Sequence, residues 1–545
     1  MLKKSNEKDY KENKKNSQQE PFIQNSENDI KKDRYDLFNY KFIANFFRSK
    51  YYPLVFQVGM IILLVGLIIQ GLGEKRSDTE SAITIGLFTT FWFLIIWSSN
   101  VFTGRSWCSI CPVGAIAGAA NRFNKGYSFP RKLSNWGLPL LSYIFSLWVL
   151  AMVTDFWSNS FLSAIWIISV IGVAIGVSLI YKGRVFCKYL CPITAPLAVI
   201  ARSSPLEVRS KTMSTRFPNS SSKDRLERRF ASLPMFNASE DSSKKSCKTT
   251  IIYGRQIDEE CRSCKTHDCY KGNDKTEGCP WEQHPATMSG NTGCSMCMKC
   301  THSCPSGEPM RLFLRKPFSE LVNIFRPDYF EVFIIFTLLG LYSFYQWSII
   351  ADAIFLNGFH DSLVSVTHSI VPFLTTDAVK EYIVGYFAAI GLGLGLYSFA
   401  SLISSKLSYL KFKTNFENFG YAYLTIFILH FLLTYSIGYL DNIGQHANIA
   451  LSNIGINLYL PPNFIVDFKI PAFQIGNNTI SYDDLINGIS ISLAMPIGGY
   501  ISYRAAKIIT KSNSVYKAVI VASPHIALII AMTIVIIYQE LILHV

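Results

Sequence analysis

PLVFQVGMIILLVGLIIQGLG, residues 53–73, contains no Asp, Glu, Lys or Arg. About 20 consecutive apolar residues cross the hydrocarbon core of a bilayer. Eight similar windows follow, near 82–101, 137–154, 161–180, 329–350, 384–403, 418–440, 486–503 and 517–538. Pro496 and Pro524 fall inside the last two, where membrane helices tolerate proline. Hydrophobic residues make up 49% of the 545-residue chain and charged residues only 17%, against about 25% charged in soluble domains. This excludes one large soluble globule, a collagen-like chain and a wholly disordered one. The expectation is a polytopic α-helical membrane protein of about nine transmembrane helices.

The charge distribution sets its orientation. With the N-terminus cytoplasmic, the short inner segments hold 24 Lys/Arg and the outer loops hold 4. By the positive-inside rule this places the C-terminus outside and residues 181–328 inside. Membrane orientation also accounts for the net charge of +14, so no nucleic-acid partner is expected. Residues 1–52 read as a disordered basic cytoplasmic tail. A four-helix membrane module follows at 53–202. Residues 203–256 are Ser/Lys/Arg-rich and read as a linker. A compact cysteine-rich domain at 257–328 precedes a five-helix membrane domain at 329–545.

All 13 cysteines lie between Cys108 and Cys304. An odd number confined to one part of the chain fits a metal or cluster system better than a disulfide scaffold. The run Cys294-x2-Cys297-x2-Cys300-x3-Cys304-Pro305 has the spacing of a bacterial [4Fe-4S] ferredoxin. Three thiolates on a tight loop reach three corners of a cubane. The fourth, expected to start a helix turning away, serves the other cluster of a pair. Upstream lie Cys261-x2-Cys264-x4-Cys269 and Cys279-Pro280. The assignment is Cys294, Cys297, Cys300 and Cys279 for one cluster, and Cys261, Cys264, Cys269 and Cys304 for a second. A zinc site at Cys261, Cys264, Cys269 and Cys279 is the competing reading.

Two further motifs border spans two and four: Cys108-x2-Cys111-Pro112 and Cys187-x3-Cys191-Pro192. Each follows a repeated Gly-Arg-x-x-Cys, at Gly104 and Gly183. Four thiols at one membrane face suit a third cluster or a soft metal such as Cu(I). Arg105 and Arg184 stand ready to offset thiolate charge, and Gly114 permits close backbone approach. Four unligated interfacial thiols are the simpler alternative. Cys247 has no partner spacing and reads as a free thiol.

This arrangement resembles the polyferredoxin-type membrane electron-transfer proteins. That group includes the nitrous-oxide-reductase regulator, the quinol-oxidising subunit of periplasmic nitrate reductase and the copper-reducing oxidase assembly protein. The resemblance rests on Gly183-Arg-Val-Phe-Cys-Lys-Tyr-Leu-Cys-Pro192, on Cys264-Lys-Thr-His-Asp-Cys-Tyr-Lys-Gly272 and on Gly278-Cys-Pro280. It covers residues 50–326. It implies two cysteine-proline motifs bordering membrane helices and a cytoplasmic two-cluster ferredoxin-like α+β domain. The first motif here has x2 where the family has x3. No covalent-flavin domain is seen before the first span, and nothing in the family predicts the cysteine-free region after residue 326.

In that region His430 and His525 lie within spans, which makes them haem or quinone candidates. By helical rise they sit about 20 and 12 Å from the cytoplasmic ends of their spans. Such different levels argue against haem b, and hydrogen-bonded packing is the simpler reading. His360, His368 and His446 fall in outer loops. Gly391-x-Gly393-x-Gly395 reads as a helix-packing stripe. There is no Walker loop, nucleophile elbow or H-E-x-x-H motif. The expected function is iron–sulfur electron transfer between a cytoplasmic partner and a membrane or extracytoplasmic one. A carrier fits better than a substrate-converting enzyme. The alternatives are a quinol dehydrogenase, a copper reductase or a metallocentre assembly factor.

Overall fold

The computed structural model describes residues 34–73, 96, 98–130, 133–146, 159–210, 266–273, 276–285, 288, 290–305, 310–323, 327–340, 357–370, 383–453, 459–461, 463, 471–475, 478–512 and 514–538. The elements that position the cysteines begin with β1 (Arg34–Asp36), α1 (Lys41–Arg48) and α2 (Leu54–Gly73). Next come α3 (Trp107–Ile110), α4 (Pro112–Ala120), α5 (Ser160–Ile180), α6 (Thr194–Ile200) and β2 (Leu206–Ser210). The cysteine-rich segment supplies α7 (Asp268–Lys271), α8 (Lys299–Ser303) and β3 (Met310–Arg315). The C-terminal half contributes α9 (Tyr386–Ser408), α10 (Tyr482–Thr510) and α11 (Val515–Tyr538).

Among the described residues, five helices are long and apolar enough to cross a membrane: α2, α5, α9, α10 and α11. They coincide with five of the nine expected spans. Pro496 and Pro524 sit inside unbroken α10 and α11. The expected span 418–440 follows a helical path that switches between α, 3₁₀ and π turns. The windows 82–101, 137–154 and 329–350 lie partly outside the described residues.

α5 packs on α2 and α4, and α11 packs on α9 and α10. One apolar core joins both halves. It runs from Ala195, Leu197 and Ile200 in α6, through Val332 and Phe336, to Tyr397, Phe419 and Ala522. In the glycine stripe only Gly393 makes a tight contact, its ideal Cβ falling 3.2 Å from Phe336; Gly391 and Gly395 meet nothing within 4 Å.

The cysteine-rich part departs from the expected boundaries. β1, β3 and β2 form an antiparallel sheet in that order, with Arg34 opposite Arg315 and Leu206 opposite Leu314. Residues 34–52, expected within a disordered tail, supply an edge strand and a helix. Residues 206–210, expected in the linker, supply the other edge. β3 needs a partner on each side to satisfy its backbone groups. Val208 and Leu312 share the sheet's apolar face and pack with Phe38, Tyr52, Met288, Met296, Met298 and Cys294. The tail and linker segments therefore help to enclose the cysteine run.

The other sheet face carries charge. Arg202, Arg209 and Arg315 meet Glu207, Glu320 and Glu331, and all six are buried. Arg202 grips Glu331 with two bonds of 2.9 Å and reaches Glu320 at 3.1 Å. Tyr421 donates to Glu331 at 2.6 Å, and Glu320 accepts the Asn291 N–H at 3.1 Å. The network thus links the C-terminal membrane half to the loop that leads into Cys294.

Candidate metal centre

The duplicated motif has a backbone reason. Gly104 and Gly183 both take positive φ, +64° and +74°. Gly104, with ψ −152°, occupies a region almost closed to other residues. A Cβ on Gly183 would fall 2.6 Å from Glu282 Oε1. Alanine at either position is expected to cost about 1–3 kcal/mol, read as a lower thermal midpoint in detergent; an unshifted midpoint would remove the strain argument.

The difference between x2 and x3 is absorbed locally. In the first motif α3 spans Trp107–Ile110 and ends at extended Cys111. In the second, Phe186–Leu190 form one π turn, closed by Cys191 N–H to Phe186 O at 2.8 Å. The wider turn takes up the extra residue. Both motifs then end on a cysteine with ψ near 124°, followed by proline. The residue before proline is pushed to this conformation.

The two motifs converge. An ideal Cβ on Gly114 would touch Cys187 Sγ at 3.8 Å and Cys111 Cβ at 3.7 Å. Cys108, Cys111, Cys187 and Cys191 lie within electrostatic reach of one another. Each keeps a little accessible surface, but protein surrounds the last three. Burial pushes the Cys111 thiol up to about 12, opposed by amide bonds from Gly114 and Val113. Burial likewise raises Cys187 and Cys191.

The ferredoxin-type run forms a second quartet. Cys300 lies within electrostatic reach of Cys279, Cys297, Cys294 and Cys269. Met296 and Met298, between the cysteines, take left-handed φ of 55° and 56°. Such alternation turns successive N–H groups into an anion-binding concavity of the kind found at Fe–S sites. The Met296 N–H bonds Cys294, and those of Trp281 and Gln283 bond Cys279. Burial pushes Cys279 up to about 12 and raises Cys294 and Cys300.

Residues 306–309, where the helix expected after Cys304 would lie, are outside the described residues; Cys304 itself follows a helix. It ends α8 in an extended conformation, because Pro305 follows it. α7, which carries Cys269, packs against α8. Asn273 donates to Ser303 O at 3.3 Å, beside Cys304. Cys269 Sγ lies 3.7 Å from His284 Nε2. Cys261, Cys264 and Cys247 lie outside the described residues.

The two quartets face each other across a built interface. Arg184 pairs with Glu277 at 3.3 Å and Lys188 with Glu282 at 2.7 Å, on either side of Cys279. Lys299 also holds Glu277, at 2.6 Å. Burial opposes the Glu277 carboxylate, but these two cations outweigh it and keep the group below its ordinary value. Tyr52 donates to Met296 O at 3.2 Å and meets Ser109 at 3.3 Å, so its hydroxyl touches both cysteine loops. A half-open cleft of about 330 Å³ between the halves is lined by Arg122, Arg184, Tyr270 and Cys279, among others. Sequence reasoning anticipated charge compensation by Arg105 and Arg184. It missed Tyr52, Trp281 and the docking carboxylates, which no local spacing marks.

The donor set fits a cluster. Eight cysteines form two thiol-rich groups, and backbone amides are aimed at several of their sulfurs. Among the described residues, no three Cys, His, Asp or Glu side chains converge on a single-ion position. One tetrahedral zinc would draw its sulfurs to about 3.8 Å from each other, given Zn–S bonds near 2.3 Å. A cubane holds its thiolates further apart.

The histidines are packed differently. His525 is fully buried in α11. Its Nδ1 lies 3.1 Å from the Tyr423 hydroxyl and its ring stacks on Phe419 at 4.2 Å. His430 is buried in the π turn Phe427–Leu432, and His446 stacks on Tyr439.

No curated relative and no solved structure matches the chain. A family model described as a 4Fe-4S binding domain matches residues 85–130 and 162–211. These stretches contain Cys108, Cys111, Cys187 and Cys191, and stop short of the ferredoxin-type run. The match supports a ferredoxin-type iron–sulfur protein that binds a [4Fe-4S] cluster, carried here on a largely helical chain with membrane-length helices.

Proposed function

We propose that this chain is a membrane-bound electron-transfer protein with two cytoplasmic ferredoxin-type clusters and a third at the membrane border. Cys279, Cys294, Cys297 and Cys300 would hold one cluster, and Cys261, Cys264, Cys269 and Cys304 another. Cys108, Cys111, Cys187 and Cys191 would hold the third. When bound, the clusters supply one-electron redox chemistry. The chain itself supplies insulation, ligation and orientation. Nine spans with this charge asymmetry would put the N-terminus and all cysteines in the cytoplasm and the C-terminus outside. Its partners are a redox protein at the cytoplasmic face and an acceptor or donor at, or across, the membrane.

The observation that carries this reading is the meeting of the border quartet with the ferredoxin-type quartet across Arg105, Tyr52 and Trp281. Two thiol-rich sites held this closely, with apolar side chains around them, suit a relay. The amides at Cys111, Cys279 and Cys294 stabilise thiolate ligands and favour the reduced cluster.

Anaerobic purification with iron, acid-labile sulfide, copper and zinc counted per chain tests it. About twelve irons with matching sulfide are expected, from three clusters of four. About eight would remove one site. Zinc or copper without sulfide, surviving anaerobic reconstitution, would overturn the reading in favour of metal handling.

A further inference from the structure

Arg105 is fully buried; its guanidinium touches the border quartet at Cys108 and residues two positions from Cys294 and Cys279 in the other. Nη1 donates to Thr292 O at 2.6 Å, two residues before Cys294. Nη2 donates to Cys108 Sγ at 3.8 Å and to Thr194 Oγ1 at 3.2 Å. The Thr194 hydroxyl in turn donates to Cys187 O. The guanidinium carbon lies 3.9 Å from the centre of the Trp281 ring, two residues after Cys279. One side chain therefore reaches the surroundings of four candidate ligands, two from each quartet.

Among the described residues, no carboxylate lies within ion-pair distance of Arg105, and its Nε has no hydrogen-bond partner. A buried cation is normally retained only with a counter-charge. Arg184, its counterpart in the duplicated motif, differs in this respect, because Glu277 answers its charge at 3.3 Å. Among the described residues, the groups near Arg105 that can become negative are the cysteine sulfurs. The planar fork matters as well as the charge: a lysine ammonium could not stack on Trp281 and donate in two directions from one plane.

We propose that Arg105 is the counter-ion shared by the two quartets, holding the reduction equilibrium at each and making each depend on the charge at the other. This rests on the reading that both quartets hold clusters. A nearby positive charge and an N–H···S bond both favour an added electron. Because one guanidinium serves both sites, charge added at one weakens its hold at the other.

The test is a reductive titration of the full-length, anaerobically prepared chain, followed by electron paramagnetic resonance, with iron counted on every sample. Arg105→Gln should lower the midpoint potentials of both quartets. The expected effect is at least tenfold in each reduction equilibrium, or 59 mV for a one-electron couple. Arg105→Lys, which keeps the charge and loses the fork, should recover only part of that shift at each quartet. If Arg105→Gln fails to fold, Cys294→Ser/Cys297→Ser gives an independent reading. It empties the ferredoxin-type quartet and leaves Arg105 to the border one, whose potential should then rise. Iron retained at both quartets with one or neither potential moving overturns the shared counter-ion alone. Absence of iron from the border quartet in the unaltered chain overturns the two-quartet reading with it.

Discussion

Serine at Cys187 is expected to strip one cluster, about four irons per chain, and to leave the ferredoxin-type run loaded. Cys187 stands inside the π turn that brings the second motif against the first. Its sulfur lies 3.8 Å from the position a Cβ on Gly114 would take. Cys108, Arg184, Arg105 and Lys188 all act on it. A hydroxyl is a harder and poorer ligand for iron than a thiolate. The docking contacts at Glu277, Glu282 and Tyr52 involve other side chains, so the second quartet should stay assembled. Iron and sulfide analysis with the visible spectrum decides the matter. An unchanged iron count would show that the border thiols hold no cluster, even though they lie within the residues matched by the 4Fe-4S model.

Alanine at Glu320 should be the most destabilising of the single changes considered. Glu320 receives Arg202 at 3.1 Å, Arg315 at 2.8 Å and the Asn291 N–H at 3.1 Å, all in buried surroundings. Removing Glu320 leaves three buried arginines facing two carboxylates, Glu207 and Glu331, and an unbalanced buried ion network costs about 3–5 kcal/mol. Because Asn291 leads into Cys294, cluster retention should fall together with stability. Thermal unfolding in detergent and the iron count after dilution read the two effects separately. Replacing the pair Arg202 and Glu331 by Met and Leu should cost less than Glu320→Ala, since an exchanged pair leaves no single orphaned charge. A Glu320→Ala protein as stable as the parent would mean that Glu207 and Glu331 suffice for these arginines and that Glu320 carries no separate share.

The legible and illegible parts of the chain divide by sequence separation. The windows at 53–73, 161–180, 384–403, 486–503 and 517–538 could be read as spans because composition alone makes them membrane-length helices. The cysteine run could be read because ligand spacing on a short loop is a local property. The repeat at Gly104 and Gly183 was visible as a pattern, but its cause, a positive φ before each cysteine loop, is a backbone fact. Residues 34–52 misled because they continue the polar, lysine-rich stretch 1–33, although 11 of these 19 residues are themselves hydrophobic. Their order comes from pairing with β3 and packing on Met296 and Met298, far along the chain.

The helical class, the cysteine motifs and the expectation of iron–sulfur chemistry followed from the sequence by itself, since each depends on composition within one window or on spacing within one loop. Which quartets meet, what lies between them and how the sheet and ion network close around them were decided only by the tertiary structure. Arg105 and Thr292 are 187 residues apart, Arg202 and Glu331 are 129 apart, and Tyr52 and Met296 are 244 apart. No local pattern encodes such pairs, because they arise when burial of the common apolar core brings distant segments together and leaves their charges only each other as partners.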